Sequence, residues 1–286
     1  MRFAWIKDHA SEFDVAGMCD ALNVSRSGYY ARHSRPPGKK TLAREVLLEK
    51  IRLAHDQSRG TYGSPRVAAE LAVRGVAACV NTVAKYMKQA GIRSKIKRRF
   101  RPTTTDATHG LAVAPNDLGR RFQATGPNCK WCCDITYVPT AEGFLYVAAV
   151  IDLFSRRVVG WAMDDHLRGE LCVEALSMAI VRRTPAKGLL HHSDRGVQYA
   201  CGQYQQMLRD HGMVASMSRK GDCYDNAAIE SFWGTLKTEL THHELYPTRA
   251  EARRSIFEFI EVFYNRQRRH SAIGYVSPEQ FEASLN

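Results

Sequence analysis

The chain has 286 residues, 44% of them hydrophobic and 24% charged, the composition of an ordinary globular protein and not of a disordered one. Its formal charge of +12 is uneven: residues 1–125 hold 23 Lys plus Arg against 10 Asp plus Glu, and residues 126–286 hold 18 against 19. No apolar run approaches the ~18 residues of a membrane span, MRFAWIKDHA has no signal core, and the eight cysteines form no paired framework, so the expectation is a soluble cytoplasmic protein whose basic part holds a polyanion.

Residues 13–33 predict two short helices joined at Asn23 to Ser25, with Val15, Met18, Leu22 and Val24 inward. This is a helix-turn-helix outline that plain helical hairpins share. RPPGKK at 35–40 breaks regular structure and closes a first segment, 1–40. A second helical region, 41–101, opens with an amphipathic helix over 42–57. Ser64 is placed as the N-cap of the next helix, with Pro65 at its first position and Gly75 past its end. Asn81 is placed as the cap of another, running to Ala90 and closed by Gly91. This pair is the better helix-turn-helix candidate, with Asn81, Thr82, Lys85 and Lys88 as outward DNA readers; the alternative is a helical spacer. RSKIKRRFR at 93–101 puts six cations in nine residues. Lys95, Lys97, Arg98, Arg99 and Arg101 are assigned to DNA phosphates, with Phe100 available to stack. Residues 102–125, rich in Thr, Gly, Pro and Asn, read as an interdomain linker.

The remaining domain, 126–286, begins with strands at Lys130–Pro139, Phe144–Asp152 and Arg157–Met163, whose tight connections predict an antiparallel meander. A helix over Gly169–Arg182, a strand over Gly188–Ser193, a helix near Tyr199–His211 and a strand over Met213–Met217 follow. In KGDCYDNAAIESFWGTLKTEL the apolar residues Ile229, Phe232, Trp233, Leu236 and Leu240 mark one buried helix face. Glu230 and Lys237, seven residues apart, share a helix angle beside that face, with Gly234 between them. Thr248-x-x-Glu251 is a capping box for a helix to about Asn265, with Phe259, Ile260 and Phe263 buried. The basic, aromatic tail Tyr264–Tyr275 either binds DNA or closes the core. His191, His192, His242 and His243 read as polar packing, and Cys129-x-x-Cys132 lacks the second pair that a zinc site needs.

A lone Glu on an amphipathic helix is ordinarily a solvated surface residue. Two further acids change the reading: Asp134 in the strand KWCCDITYV, and Asp194 where the apolar GLLHHS runs into a polar turn. Three carboxylates on three elements can then meet. The stretches WCCDITYVPT, VIDLFSRRVVGWAM, LLHHSDRGVQY, SMSRKGDCYDNAAIESFWGTLKTEL and FYNRQRRHSAIGYVSP resemble the DDE transposases and retroviral integrases. The closer match is to the OrfB-type insertion-sequence transposases, the insertion sequence three family, and it covers most of residues 126–280 in order. Carried over residue by residue, the family's acidic triad falls on Asp134, Asp194 and Glu230, and its basic residue seven positions on falls on Lys237. Cys132 and Cys133 depart from the expected pattern and bear on packing and redox sensitivity.

The resemblance implies a ribonuclease-H-like α/β fold, a mixed sheet flanked by helices, preceded here by the all-α helix-turn-helix region. Phosphodiester transfer needs positive charge on the nonbridging oxygens and an in-line nucleophile, which two Mg²⁺ ions supply, with Mn²⁺ as a substitute. Hard cations choose carboxylate oxygen, so Asp134 is expected to bridge both ions, with Asp194 on one and Glu230 on the other. The family further implies cleavage and strand transfer at transposon ends, a copy-out, paste-in route, and double-stranded DNA of ends and target as partners. It also implies a homo-oligomer on DNA, fused to or assembled with the product of the upstream frame. The rivals are a non-enzymatic DNA-binding regulator, which leaves the three acids unexplained, and a ribonuclease-H-like nuclease, against which the basic first half and Lys237 argue.

Overall fold

A computed structural model describes residues 1–34, 38–95, 111–219 and 223–285, without the side chains of Cys223 and Tyr224. The chain forms two compact units, Met1–Leu53 and Ala54–Asn286. In the first, α1 (Arg2–Asp8), α2 (Val15–Ala21) and α3 (Arg26–Ser34) close around Ile6, Met18, Cys19 and Tyr29. Val15, Leu22 and Val24 pack against that cluster as their spacing predicts. Asp14 caps α2 by accepting from the Gly17 amide at 2.9 Å, and Asn23 turns the chain between α2 and α3 with φ 52°. The first helix has no capping signature and was not foreseen; Ile6, fully buried, is what holds it. Helix α4 (Lys39–Gln57) begins earlier than expected, taking in Lys39 and Lys40, and the division between the units falls within it.

The second unit opens with α5 (Ser64–Val73) and α6 (Val80–Gln89). Both expected caps are displaced. Gly63, in extended conformation, caps α5 and Ser64 is its first helical residue. Cys79 caps α6, its Sγ 3.1 Å from Thr82 Oγ1, so Asn81 lies within the first turn.

Five strands follow, interrupted and then succeeded by helices: β1 (Lys130–Thr140), β2 (Gly143–Asp152), β3 (Val158–Asp164), α7 (Gly169–Arg183), β4 (Leu190–Ser193), α8 (Val197–Ala200), α9 (Gly202–Asp210), β5 (Val214–Met217), α10 (Ala227–Leu236), α11 (Arg249–Glu258) and α12 (Pro278–Ala283). The helix expected near Tyr199–His211 is two, because Cys201 is extended between them. Strand β4 starts two residues later than expected, after Gly188 turns with φ 92°. Helix α10 continues through a π-helical turn, Lys237–Thr241, and α11 through another, Phe259–Tyr264. The sheet order is β3-β2-β1-β4-β5, with β1–β2 and β2–β3 antiparallel and β1–β4 and β4–β5 parallel.

Alternation along the strands feeds two cores. Cys132, Leu145, Val147 and Ile151 pack with Phe232, Leu236, Ile256 and Phe259 of α10, α11 and the π-helical turn after α11. Trp131, Cys133, Ala148 and Val150 pack on the other face with Leu171, Leu176, Ala179 and Tyr204 of α7 and α9. Residues 111–125, expected as linker, are built into this unit where they are described. Leu118 is fully buried in the α10-side core, and Ser216 Oγ accepts from the Asp117 and Leu118 amides at 3.0 and 3.2 Å. One large apolar residue in a polar stretch is enough to anchor it.

The tail closes the core, one of the two roles expected of it. Arg268 is buried in a bidentate pair with Glu239, at 2.6 and 2.7 Å. Arg269 pairs with Glu70 of α5 at 2.6 Å, and the Tyr62 hydroxyl accepts from the Arg269 amide at 2.7 Å. Among the described residues, no helix is long and apolar enough to cross a membrane.

The tightest approach in the sheet is at Gly160 of β3. A Cβ there would clash with the Ala175 carbonyl and stand 2.7 Å from the Ala179 amide nitrogen of α7. Both obstacles are backbone, so nothing can rotate away. Gly160→Ala is expected to cost about 3 kcal/mol, measured by urea unfolding; a loss below ~1 kcal/mol would show that α7 shifts without penalty.

Candidate active site

The parallel pairing of β1 with β4 sets Lys130 opposite Leu190, Trp131 opposite His191 and Cys132 opposite His192. Two residues farther along each chain stand Asp134 and Asp194, so this register brings two residues that are 60 positions apart to the same level. Neighbouring strands lie about 4.8 Å apart. Asp134 is held at the middle of β1, where β2 pairs on its other side, opposite Ala149. Asp194 follows the last residue of β4, and its Oδ1 accepts from the Gly196 amide at 2.8 Å.

Glu230 comes from the other side, on α10. Ile229, Phe232, Trp233 and Leu236 are buried as predicted, which aims α10 at the sheet. Trp233, one turn beyond Glu230, donates from Nε1 to Asp134 Oδ2 at 3.1 Å. That bond was not foreseen: Trp233 reads as plain core, and only its place three residues after the Glu hints at contact with the site.

The electrostatics report the convergence. Burial raises the Asp134 pKa well above the carboxylate range, and the charges of Asp194 and then Glu230 raise it further. Hydrogen bonds from the Ile135 amide and Trp233 oppose the rise without cancelling it. Lys237, half-buried, has its pKa lowered by burial and raised by Asp134, and its Nζ lies 5.6 Å from the Tyr137 ring centroid. The lysine therefore stands beside the acid pair as well as on the helix of Glu230. Carboxylate oxygens are the donors a hard divalent cation takes, but among the described residues the three acids do not bring ligand atoms within 4.8 Å of one another.

The other groups near the site are quiet. Burial pushes the Cys132 and Cys133 thiols up, so both stay protonated and pack. Burial pushes His191 down to about 3 and His192 to about 4. They bond to the Tyr204 hydroxyl at 3.1 Å and Ser216 Oγ at 2.9 Å, which is the polar packing expected of them. A close group at the end of β3, Asp164, Asp165 and His166, has the donors for a metal but lies against Arg253 and Arg249.

A second acid, Asp225, was missed. Fully buried just before α10, it accepts from Arg219, from Arg120 and, at 2.8 Å, from Asn116, and Arg219's bonds hold its pKa down at about 2. An Asp-Asn pair ahead of an amphipathic helix carries a capping signal, but nothing local announces partners 105 and 109 residues away.

The expected DNA readers divide. Asn81, Lys85 and Lys88 are exposed on α6, opposite buried Val83 and Met87, while Thr82 is engaged with Cys79. Lys95 donates to the Glu239 carbonyl at 2.8 Å. Lys97, Arg98, Arg99 and Arg101 lie outside the described residues.

Residues 124–223 match a family described as Integrase core domain, 211–278 match a second of the same description, and 42–100 match an HTH-like domain. The Insertion element IS600 uncharacterized 31 kDa protein of Shigella sonnei is 46% identical over 264 residues, 92% of this chain and 97% of its own. Transposase InsF for insertion sequence IS3A of Escherichia coli (strain K12) is 43% identical over 285 residues, 99% of this chain and 98% of its own. Among solved structures, the HTLV-2 integrase catalytic core domain in complex with magnesium is 16% identical, with a TM-score of 0.45 over 55% of this chain and 98% of that one.

Because Asp134 has a raised pKa in the folded chain, its ionisation costs stability as pH climbs from the ordinary carboxylate range, near 4, to the raised value. In chelator, Asp134→Asn is expected to melt about 2–4 °C above the parent at pH 7, which corresponds to roughly 1 kcal/mol. Calorimetry from pH 5 to 8 should show that gap widening with pH. A constant gap would mean that the carboxylate carries no such penalty.

Proposed function

The chain belongs to the IS3 family of insertion-sequence transposases and is an enzyme of DNA transposition, and on that premise we propose that it cuts and joins strands at transposon ends through Asp134, Asp194 and Glu230. Membership removes the non-enzymatic regulator as an alternative. The three carboxylates would hold two divalent cations, Mg²⁺ or Mn²⁺, with Asp134 as the shared ligand and Asp194 and Glu230 completing one each. When bound, such ions neutralise the nonbridging oxygens and align nucleophile with leaving group.

The chain's own residues restrict the geometry. Trp233 Nε1 fixes one Asp134 oxygen and the Gly196 amide fixes one Asp194 oxygen, so neither carboxylate rotates freely. The ammonium of Lys237 holds a DNA phosphate next to the acids, and the exposed cations of α6 with the 93–101 arm hold flanking duplex. Water attacks at the end of the element and exposes a 3′ hydroxyl, which then attacks a second strand. Both are in-line displacements at phosphorus, so no covalent link to the enzyme forms. The protein works as a homo-oligomer on DNA, joined to the product of the upstream frame. The observation that carries this reading is the β1–β4 register, which levels Asp134 with Asp194 while α10 brings Glu230 within their field.

Asp134→Asn, Asp194→Asn and Glu230→Gln are each expected to abolish Mg²⁺-dependent joining of inverted-repeat ends while leaving the fold and DNA binding intact. Near-normal joining by any one of them would remove that residue from the triad. Lys237→Ala should weaken end binding and flatten the salt dependence by roughly one unit, with the Mg²⁺ requirement unchanged. An unaltered slope and joining rate would return Lys237 to the ordinary surface.

A further inference from the structure

A pocket of about 400 Å³ has both Asp134 and Asp194 among its lining residues. Its lining is largely apolar: Tyr137, Phe144 and Tyr146 from the β1–β2 hairpin, Leu167 before α7, and Val197 and Tyr199 from α8. Tyr137 and Tyr146 are direct cross-strand partners. Phe144 sits against them, its ring centroid 4.9 Å from Tyr137 and 6.4 Å from Tyr146. Cross-strand aromatic pairs stabilise hairpins, and that accounts for the two tyrosines. It does not account for Phe144, Leu167 and Val197, which are 48%, 42% and 45% exposed and gather on this one pocket. The rim is braced, since the Gln198 amide donates to the Leu167 carbonyl at 3.2 Å.

The surroundings identify the occupant. The acid pair is part of the lining, and the Lys237 ammonium lies 5.6 Å from the centroid of Tyr137, another lining residue. These are groups for a phosphate and its ions. An aromatic-lined pocket beside those groups, with the exposed ring of Phe144 set edge-on to its neighbours, is suited to the one flat apolar part of a nucleotide, its base. The volume is ample for a base with its sugar, and a base that enters leaves the stack of its duplex.

We propose that this pocket holds one unstacked base of the strand being cut or joined, adjacent to the reacting phosphate, with Phe144 as the exposed stacking surface. The proposal rests on the strand-transfer reading above. It makes Phe144, with Tyr137 and Tyr146 behind it, a determinant of where the strand is placed, with no part in the chemistry.

The test uses the full chain, equilibrium binding in Ca²⁺ or without divalent ion, and duplexes carrying one abasic position at each of the three nucleotides on either side of the reacting phosphate. One series places the abasic position in the element's end, a second in target DNA, which separates the two sources of the base. The wild type is expected to bind one abasic duplex about 10-fold more weakly than the intact one, the scale of a single base–aromatic stack. Phe144→Ala should lose the same factor on intact DNA and nothing further on that abasic duplex, and Phe144→Tyr should recover the wild-type pattern. Phe144 is half-exposed, so the variants should fold, which thermal melting checks. If Phe144→Ala binds intact and abasic duplexes with the same ratio as the wild type, the pocket is hairpin packing only and the proposal is overturned. Mg²⁺-dependent joining by the wild type is scored in parallel. Its failure would count against the strand-transfer reading alone, because the binding comparison involves no catalysis.

Discussion

Like charges held side by side repel, and the catalytic unit is arranged to withstand that repulsion. At the spacing of neighbouring strands, two carboxylates push on each other with about 3.5 kcal/mol in a medium of effective dielectric constant near 20. A loop would relieve this by moving. Asp134 cannot, because β1 is the central strand, paired with β2 along its whole length and with β4 on the other side. A shift of β1 by one residue would turn Trp131 and Cys133 out of one core and Cys132 out of the other. The hydrophobic alternation of the strand is therefore what keeps its carboxylate in an unfavourable place.

Much of this was legible in the chain itself. The five strands, the buried face of α10 and the capping of α11 by Thr248 follow from periodicities and short-range chemistry that a sequence displays directly. The displaced caps at Gly63 and Cys79 show the limit of such signals. Ser64 and Asn81 are better capping residues, but where the chain turns is decided by the packing of Val67, Leu71, Val83 and Met87. What was not legible depends on side chains meeting across long separations. The bond from Trp233 to Asp134 spans 99 residues, and Asp225 collects partners from the polar stretch before β1. The same polar composition that made residues 111–125 look like a linker supplies those partners, and Leu118 alone betrays the packing.

The C-terminal tail joins elements that the sequence lists far apart. Arg268 neutralises Glu239 in the π-helical turn that continues α10, while Arg269 binds Glu70 and Tyr62 in and just before α5. Arg66 Nε adds a bond to the Arg269 carbonyl at 2.9 Å. Removing one member of a buried ion pair leaves the other charge without compensation, a larger loss than the pair itself contributes. The helix that carries Glu230 and Lys237, the closing tail and α5 are thus tied by charges and hydrogen bonds. A basic, aromatic stretch places Arg268 and Arg269 in the interior as cement.

The β1–β4 pairing also fixes when the site comes into being. Strand β2 can pair with β1 as soon as the hairpin is made, but β4 is separated from β1 by the meander and α7 and must close a loop of about 60 residues before its short ladder forms. The third carboxylate follows later still, on a helix whose far end is braced at Glu239 by Arg268 and Lys95. During synthesis from the N-terminus, the basic helical segments emerge first and the acids are drawn together last. The β1–β2 hairpin is thus the first part of the sheet that can form, and the ladder between β1 and β4 joins it only after the meander and α7 are made.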